Sequence, residues 1–381
     1  MDFNLSKEQS DIQKAAREFA KGEFDPDLAL EHDKNQQFPT TILKKAGDLG
    51  FLGVHFPEAY DGQGLGLLEN ALIIEAFCRQ DSGIGMALAL SDFGSEMVLY
   101  YGNGDQKKRI LPFVAHGEGL MTLAFLEDGY SLAPFSTKAI RDNNGYVIHG
   151  KKSFVTLGNL ASFIIVVCQT DPGDPIVQTA FLVERETPGL EVLTMGQKAG
   201  MRMIPISQAA FMNVHLAKEN VVGQEKDAYR QLKAFLDTMR IEAGAMGVGI
   251  AQGALDMALE YSKRREQFGR AIVSFDAIRN KLADMCIEVE TSRLIVYKAA
   301  WSMDQGRPDH PAILISKVAG AKTAYAVAND CVQIYGGYGY MTEGQIEHFY
   351  RDAKVLDLFA EPGQAQKNLL ADKITGRASA L

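Results

Sequence analysis

The stretch "GYVIHGKKSFVTLG" (residues 145–158) decides how this chain is read. It is short, rich in aromatic and β-branched residues, and preceded by a turn cluster at 142–145, which together predict a β-strand. Similar runs surround it: "SFIIVVCQT" (162–170), "TAFLVERE" (179–186) and "QAAFMNVHL" (208–216). A second turn cluster at 171–175 separates two of them. The pattern predicts an antiparallel sheet or barrel between about residues 120 and 222.

Both flanks change period. Ser6, Lys7, Glu8 and Gln9 have the form of a capping box, and Ile12, Ala16 and Phe19 follow at helical spacing. Helical stretches broken by glycine or proline turns continue to about residue 120. Beyond the strands, "AYRQLKAFLDTMRIEAGAMGVGIAQGALDMALEYSKRR" (228–265) reads as one long helix. Its Gly244, Gly247, Gly249 and Gly253 are small residues that permit close helix packing. Further helices are expected near 275–302, 309–333 and 344–358. The fold class is therefore α+β, with an N-terminal helical domain (1–119), a central β domain (120–226) and a C-terminal helical bundle domain (227–381).

The chain has 381 residues, enough for two or three domains, and a net charge of -9 that argues against nucleic acid or an anionic membrane as the main partner. Its four cysteines are far apart, without CxxC, and its seven histidines do not cluster at metal-ligand spacing, so neither a disulfide framework nor a metal site is expected. The polar start and the lack of a spanning apolar run predict a cytoplasmic protein with no membrane span. "DGQGLG" (61–66) and "YGGYGY" (335–340) do not sit between a strand and a helix as a dinucleotide fingerprint requires, which disfavours a Rossmann enzyme.

Several spaced motifs carry more information. "GNGDQKKRILP" (102–112), "RREQFG" (264–269), "QIYGGYGY" (333–340) and "RDAK" (351–354), with the strand at 146–158, resemble the acyl-CoA dehydrogenase family over nearly the whole chain. The resemblance implies a central β-barrel, a C-terminal four-helix bundle, and a homotetramer. It also implies FAD lying between domains and across a subunit boundary, an acyl-CoA thioester substrate, and electron-transferring flavoprotein or a similar carrier as electron acceptor.

The resemblance also implies roles for particular positions. Leu123 and Ala124 fall on the strand that touches the flavin edge, and Phe154, Val155 and Thr156 where the family packs an aromatic on the flavin and hydrogen-bonds its N5 region. Arg265, Gln267 and Phe268 fall where a neighbouring subunit meets the pyrophosphate and adenosine. Gln333, Gly336 and Gly337 match the adenosine-side loop, with Pro362 and Gln364 as later cofactor contacts. Arginine suits a pyrophosphate because its fork donates two hydrogen bonds. Asp237 and Arg240 match the pair that meets the coenzyme A arm, and their i,i+3 spacing also allows a simple intrahelical ion pair.

Two departures stand out. The family's T-E-P-x-A-G-S-D stretch corresponds to "AFLEDGYS" (124–131), with Tyr130 replacing a small hydroxyl residue among the substrate contacts. The family's Y-E-G-T, whose Glu removes the α-proton, corresponds to "FAEP" (359–362): register from "RDAK" places Ala360 at that station and Glu361 one residue later. Some members carry the base on the helix, just before the substrate-side arginine; here that residue is Met239. Both known stations are apolar.

A displaced base is the leading expectation. Asp92, in "ALALSDFGSEM" (87–97), matches a position facing the family's acyl pocket, although Ser-Asp before a helix also reads as an N-cap. Backbone N–H groups at Ala360 or Glu361 would polarise the thioester. With an α,β double bond already present, that activation reaches the γ-carbon. Proton loss to Asp92 and hydride loss to the flavin then make a conjugated diene, as in the cyclic-diene-forming members that act on cyclohex-1-ene-1-carboxyl-CoA. The alternatives are an ordinary α,β-dehydrogenase using Glu361, a CoA-ester binding protein without redox chemistry, and an oxidase or monooxygenase on the same fold.

Overall fold

A computed structural model describes residues 4–129 and 132–377. The N-terminal part is helical: α1 (Lys7–Glu23), α2 (Pro26–Asn35), α3 (Thr40–Asp48), α4 (Leu67–Gln80), α5 (Ser82–Ala89), α6 (Ser95–Tyr101) and α7 (Gly104–Ala115). The capping box forms as expected, with Gln9 N–H donating to Ser6 Oγ at 3.1 Å and Ser6 N–H donating to Gln9 Oε1 at 2.9 Å. Eight strands follow: β1 (Met121–Ala124), β2 (Lys138–Arg141), β3 (Gly145–Thr156), β4 (Phe163–Gln169), β5 (Gln178–Glu184), β6 (Leu190–Thr194), β7 (Ile206–Ala217) and β8 (Val221–Val222). The C-terminal part holds α8 (Ala228–Arg264), the hairpin strands β9 (Glu266–Gln267) and β10 (Arg270–Ala271), then α9 (Asp276–Asp304), α10 (His310–Tyr335), α11 (Ile346–Leu356) and α12 (Gly363–Thr375).

The strands pair in the order β6-β7-β3-β2-β4-β5-β8, an open path with β6 and β8 at its ends rather than a hydrogen-bonded ring. Most pairs are antiparallel, as expected, but β1 joins β4 in parallel, with Leu123 opposite Ile165. β4 and β5 are apolar without alternation because both of their faces are covered. Ile165, Val167, Ala180 and Leu182 face the large core shared with the helices. Ile164, Val166, Phe181 and Val183 face a second core inside the β domain.

Helix α12 was not expected from sequence; its apolar positions do not form one clean stripe. The four glycines of α8 do what their size permits. A Cβ on Gly247 would lie 2.5 Å from the Gly320 carbonyl of α10, and one on Gly244 2.9 Å from the Ser316 oxygen. Gly249 and Gly253 stand equally close to the α4 backbone at Glu75 and Arg79. Backbone therefore packs directly on backbone, and α8 is the mast to which both α4 and α10 are bound.

Asp352 of the "RDAK" motif is a buried tie rather than a surface charge. It accepts from Ser82 Oγ and from the Met201 N–H, both at 2.7 Å, and so joins α11 to α5 and to the loop before β7. Burial raises its pKa, which His348 and these donors oppose. His348 in turn lies 3.1 Å from Asp81 at the start of α5.

Gly247→Ala is expected to cost about 1–3 kcal/mol by overpacking, visible as a lower thermal midpoint of the flavin-loaded protein. Gly22→Ala is the control, because nothing lies within 4 Å of the position its Cβ would take. Equal midpoints for the two variants would contradict the close approach of α8 and α10.

Candidate active site

The candidate residues gather in three groups. The first is the turn after α11. Phe359 is buried, Ala360 has a left-handed φ of 59°, and Pro362 is the N-cap of α12. In this turn the Glu361 N–H donates to the Phe359 carbonyl at 2.7 Å. The Ala360 N–H has no such acceptor among the described residues, so Ala360, not Glu361, presents the free donor at this turn.

The Glu361 side chain is committed. One oxygen, Oε2, accepts from Arg240 Nη2 at 2.5 Å and from Gln366 Nε2 at 2.6 Å, while Lys317 Nζ donates to the Glu361 carbonyl. Arg240 Nη1 also donates to Asp237 Oδ1 at 2.5 Å, so the intrahelical pair on α8 exists and is the first half of a longer clamp. His310 lies 3.2 Å from the same Asp237 carboxylate. Arg240 is buried; Asp237 and Glu361 take one N–H from each of its terminal nitrogens, and its Nε–H has no acceptor among the described residues. Lys317 is buried on α10, and burial lowers its pKa to about 8 against the opposing pull of Glu361.

The second group lies in the sheet. Leu123 and Ala124 are buried on β1; Val155 and Thr156 are buried at the end of β3, with Phe154 beside them 38% exposed at a φ of 54°. A positive φ on a bulky residue is an outlier that the surroundings must enforce. Here a bulge interrupts the pairing of β3 with β7 between Lys152 and Val155. Thr122 Oγ1 donates to the Thr156 carbonyl at 2.5 Å, and Ser153 N–H donates to the Leu126 carbonyl at 2.8 Å. Buried Lys152 pairs with Glu127 at 2.8 Å and holds that carboxyl down to about 2 despite partial burial. Tyr130, expected nearby, lies outside the described residues.

The third group forms a surface pocket of about 600 Å³, lined in part by Arg265, Gln267, Phe268, Tyr335, Gly336 and Gly337. Phe268 and Gly269 are the left-handed pair at the tip of the β9–β10 hairpin, and Phe268 is 91% exposed. Arg265 is exposed, with no carboxylate partner among the described residues, and so differs from a satisfied surface charge. Gly336 and Gly337 face open space into which a ligand can press against the backbone. Gln333 is exposed and lies just before this loop; its carbonyl accepts from the Gly336 N–H. Gln364 belongs to the first group instead, on α12, where it donates to Asn368 at 3.0 Å.

Asp92 does not cap a helix. The N-cap of α6 is Gly94, at a φ of 98°, and Asp92 lies in the turn before it. This turn packs on the other groups. A Cβ on Gly94 would touch Leu123 of β1 at 2.8 Å, and Phe93 stacks edgewise on Phe359 and Phe235 at 5.7 and 5.2 Å. Asp92 is therefore two residues from a contact with β1 and one from a contact with the Ala360 turn. Burial, and next the charge of Glu96, raise its pKa to about 7, while His55 pulls the other way. Met239, at the other apolar station, is buried on α8.

Sequence reading missed the company Asp92 keeps. One ligand-type atom from each of His55, Asp92 and Glu96 lies within 4.8 Å of the others. Glu242 of α8 is held by Asn70 Nδ2 at 2.8 Å, and burial with the charges of Glu96 and Asp92 raises its pKa well above the usual range. One signal was present in the sequence: Asp92 and Glu96 are like charges at i,i+4 inside an apolar segment. His55 and Glu242 gave none.

Family models for the acyl-CoA dehydrogenase N-terminal, middle and C-terminal domains match residues 6–118, 126–214 and 229–375. A probable acyl-CoA dehydrogenase of Bacillus subtilis strain 168, YngJ, is 34% identical, with 98% of this chain and 100% of that protein aligned. The structure of butyryl-CoA dehydrogenase from Megasphaera elsdenii superposes with a TM-score of 0.94 at 30% identity, covering 98% of this chain and 100% of the other. PigA with FAD and proline superposes with a TM-score of 0.95 at 28% identity, covering 99% and 100%. The open glycine loop, the unpaired Arg265 and the outward Phe268 fit an extended nucleotide cofactor. This chain belongs to the acyl-CoA dehydrogenase family, the flavin-dependent oxidoreductases whose cofactor is FAD.

Proposed function

We propose that this acyl-CoA dehydrogenase acts on a cyclic, already unsaturated thioester, cyclohex-1-ene-1-carboxyl-CoA, by 1,4-elimination with Asp92 as the base. One observation carries the reading: the two carboxylates near the acyl site have opposite circumstances. Glu361 spends an oxygen on Arg240 and Gln366, whereas Asp92 is half-buried, repelled by Glu96, and has a pKa of about 7. A base needs a proton affinity near the working pH, and the first carboxylate is held as a counter-ion instead.

The residues divide the work as follows. The Ala360 N–H donates to the thioester oxygen as negative charge develops there. Arg240, fixed by Asp237 and Glu361, uses its unpaired Nε–H on the coenzyme A arm. The C3–H bond breaks, its electron pair enters the conjugated enolate, and the proton passes to Asp92. FAD, held by the flavin-side and adenosine-side residues, would supply the acceptor for the C6 hydride, whose loss converts the dienolate to the 1,5-diene. Leu88, Ala89, Phe93, Phe235 and Phe359 supply the apolar surroundings that keep water from the dienolate. In the same reading Arg265, Gln267, Phe268, Gln333, Gly336 and Gly337 meet the adenosine half of the cofactor across a subunit boundary in a homotetramer. Leu123, Ala124, Phe154, Val155 and Thr156 meet the flavin ring, and Pro362 and Gln364 border it. We take the assembly to be cytoplasmic and to reduce electron-transferring flavoprotein or a similar carrier.

Anaerobic mixing with cyclohexenecarboxyl-CoA, cyclohexanecarboxyl-CoA and straight-chain saturated esters tests the substrate. Flavin bleaching is expected to be fastest with the first. Preference for a saturated straight-chain ester would exclude the assignment.

Asp92→Asn is expected to slow bleaching by about 10²–10⁴-fold, the usual contribution of a positioned base. Glu361→Gln is expected to keep the chemistry but lose stability, because it breaks a buried pair, by up to about 3–5 kcal/mol. The reverse result, with Glu361 essential and Asp92 dispensable, would restore the ordinary α,β-reaction.

The pH dependence has a definite sign. The base acts as carboxylate, so kcat/KM should rise about tenfold per pH unit below about 7 and level off above it. A profile flat from pH 5.5 to 8.5 would remove Asp92 from the reaction.

A further inference from the structure

Beside Asp92 lies a polar cluster, buried at Glu96 and Glu242 and exposed at Tyr100 and Asp304, to which the elimination assigns no role. His55 comes from the connection between α3 and α4, Glu96 and Tyr100 from α6, Asn70 from α4, Glu242 from α8 and Asp304 from the end of α9. The His55 and Glu96 side chains are only 7% and 4% exposed, and His55 Nε2 lies 3.3 Å from Glu96 Oε1. Neither ring nitrogen of His55 has a well-aligned hydrogen-bond partner among the described residues, although the ring is buried and aimed at two carboxylates. Asp92 and Asn70 also border a cavity of about 20 Å³ walled by Phe51, Ile73 and Phe77. It has room for a single water.

We propose that His55 and Glu96 are positioning residues that act through Asp92, the His55 imidazolium favouring its carboxylate form and the Glu96 carboxylate favouring its acid form. The inference rests on the reading of Asp92 as the base. Its physics is simple. In a dry pocket a charge within 4–6 Å moves a carboxyl pKa by about 1–3 units, and here one charge of each sign sits within 4.8 Å of Asp92. Their balance leaves Asp92 basic enough to take a γ-proton yet ionised at neutral pH. The pKa of His55 is raised; burial works against this, and Glu96, Asp92 and Asp304 outweigh it. Burial raises the pKa of Glu242, helped by the charges of Glu96 and Asp92, and burial raises that of Asp304, which the Leu67 and Leu68 N–H groups oppose. Tyr100, pushed up to about 12, is neutral there. Asn70 carries no charge. His55 and Glu96 are the two titratable neighbours whose ligand-type atoms lie within 4.8 Å of Asp92.

The test uses the FAD-loaded enzyme and two readouts. The first is the acidic limb of kcat/KM with cyclohexenecarboxyl-CoA. His55→Gln should move it to higher pH and Glu96→Gln to lower pH, each by about 1–3 pH units, while Glu96→Asp stays near the parent. A purely structural role would lower activity at every pH without moving the limb. The second readout is the infrared carboxyl band of Asp92 in the substrate-free enzyme, identified by its loss in Asp92→Asn and titrated in each variant. Opposite shifts of this band support the inference even if Asp92→Asn still turns over, in which case only the catalytic reading fails. Unmoved bands in folded variants overturn the inference while leaving that reading intact. Exhaustive chelation should change nothing; activity that is lost on chelation and restored by a divalent cation would make the trio a metal site and overturn the proposal.

Discussion

The buried contact between Arg240 and Glu361 organises the catalytic side of the molecule. It spans 121 residues of sequence and fastens the turn after α11 to the middle of α8. Lys317 adds a second fastening from α10 to the Glu361 backbone. Three helices thereby fix one turn, and this turn carries the free N–H at Ala360. Charges so far removed from water are stable only when fully paired. Asp237, Gln366 and the two long cations supply this pairing. A residue that in sequence looks like a displaced catalytic acid is, in structure, the counter-ion of Arg240 that holds the Ala360 turn in place.

The same constraint explains the location of the unpaired acidity. Electrostatic demand around Arg240 is met by Asp237 and Glu361. The carboxyls of Asp92, Glu96 and Glu242 sit elsewhere, at the junction of α4, α6 and α8, beside the His55 imidazole and the Asn70 amide. Such clusters are costly in a core whose sole task is stability. They stand beside the aromatic wall of Phe93, Phe235 and Phe359, and perturbed carboxyls in such a place mark a candidate functional site.

Much of this was legible in the sequence, and the limits were physical. Helical and strand periods separated the chain into its α–β–α order, and the α8 glycines announced close packing that the distances bear out. The pairing of β1 with β4 in parallel was not legible, because register between distant strands depends on the whole sheet. Helix α12 went unseen because its apolar residues are scattered round its surface. The register argument put Ala360 at the usual acid station and drew attention to Glu361, but the partners Gln366 and Lys317 come from separate helices and left no local trace. Asp92 was visible as a candidate; its cap role was a reasonable local reading that Gly94 displaced. His55 reaches the cluster from a loop nearly forty residues away, at a distance no spacing rule encodes.

The left-handed turn at Ala360 has a further, historical consequence. Restoring glutamate there by one substitution would place a longer side chain at a strained φ and set a second acid next to Glu361, with the nearest arginine already neutralised. A glutamate at this position therefore calls for at least two coordinated changes, the first of which burdens the folded protein. The turn is held to its present sequence by a ratchet made of one methyl group and one ion pair.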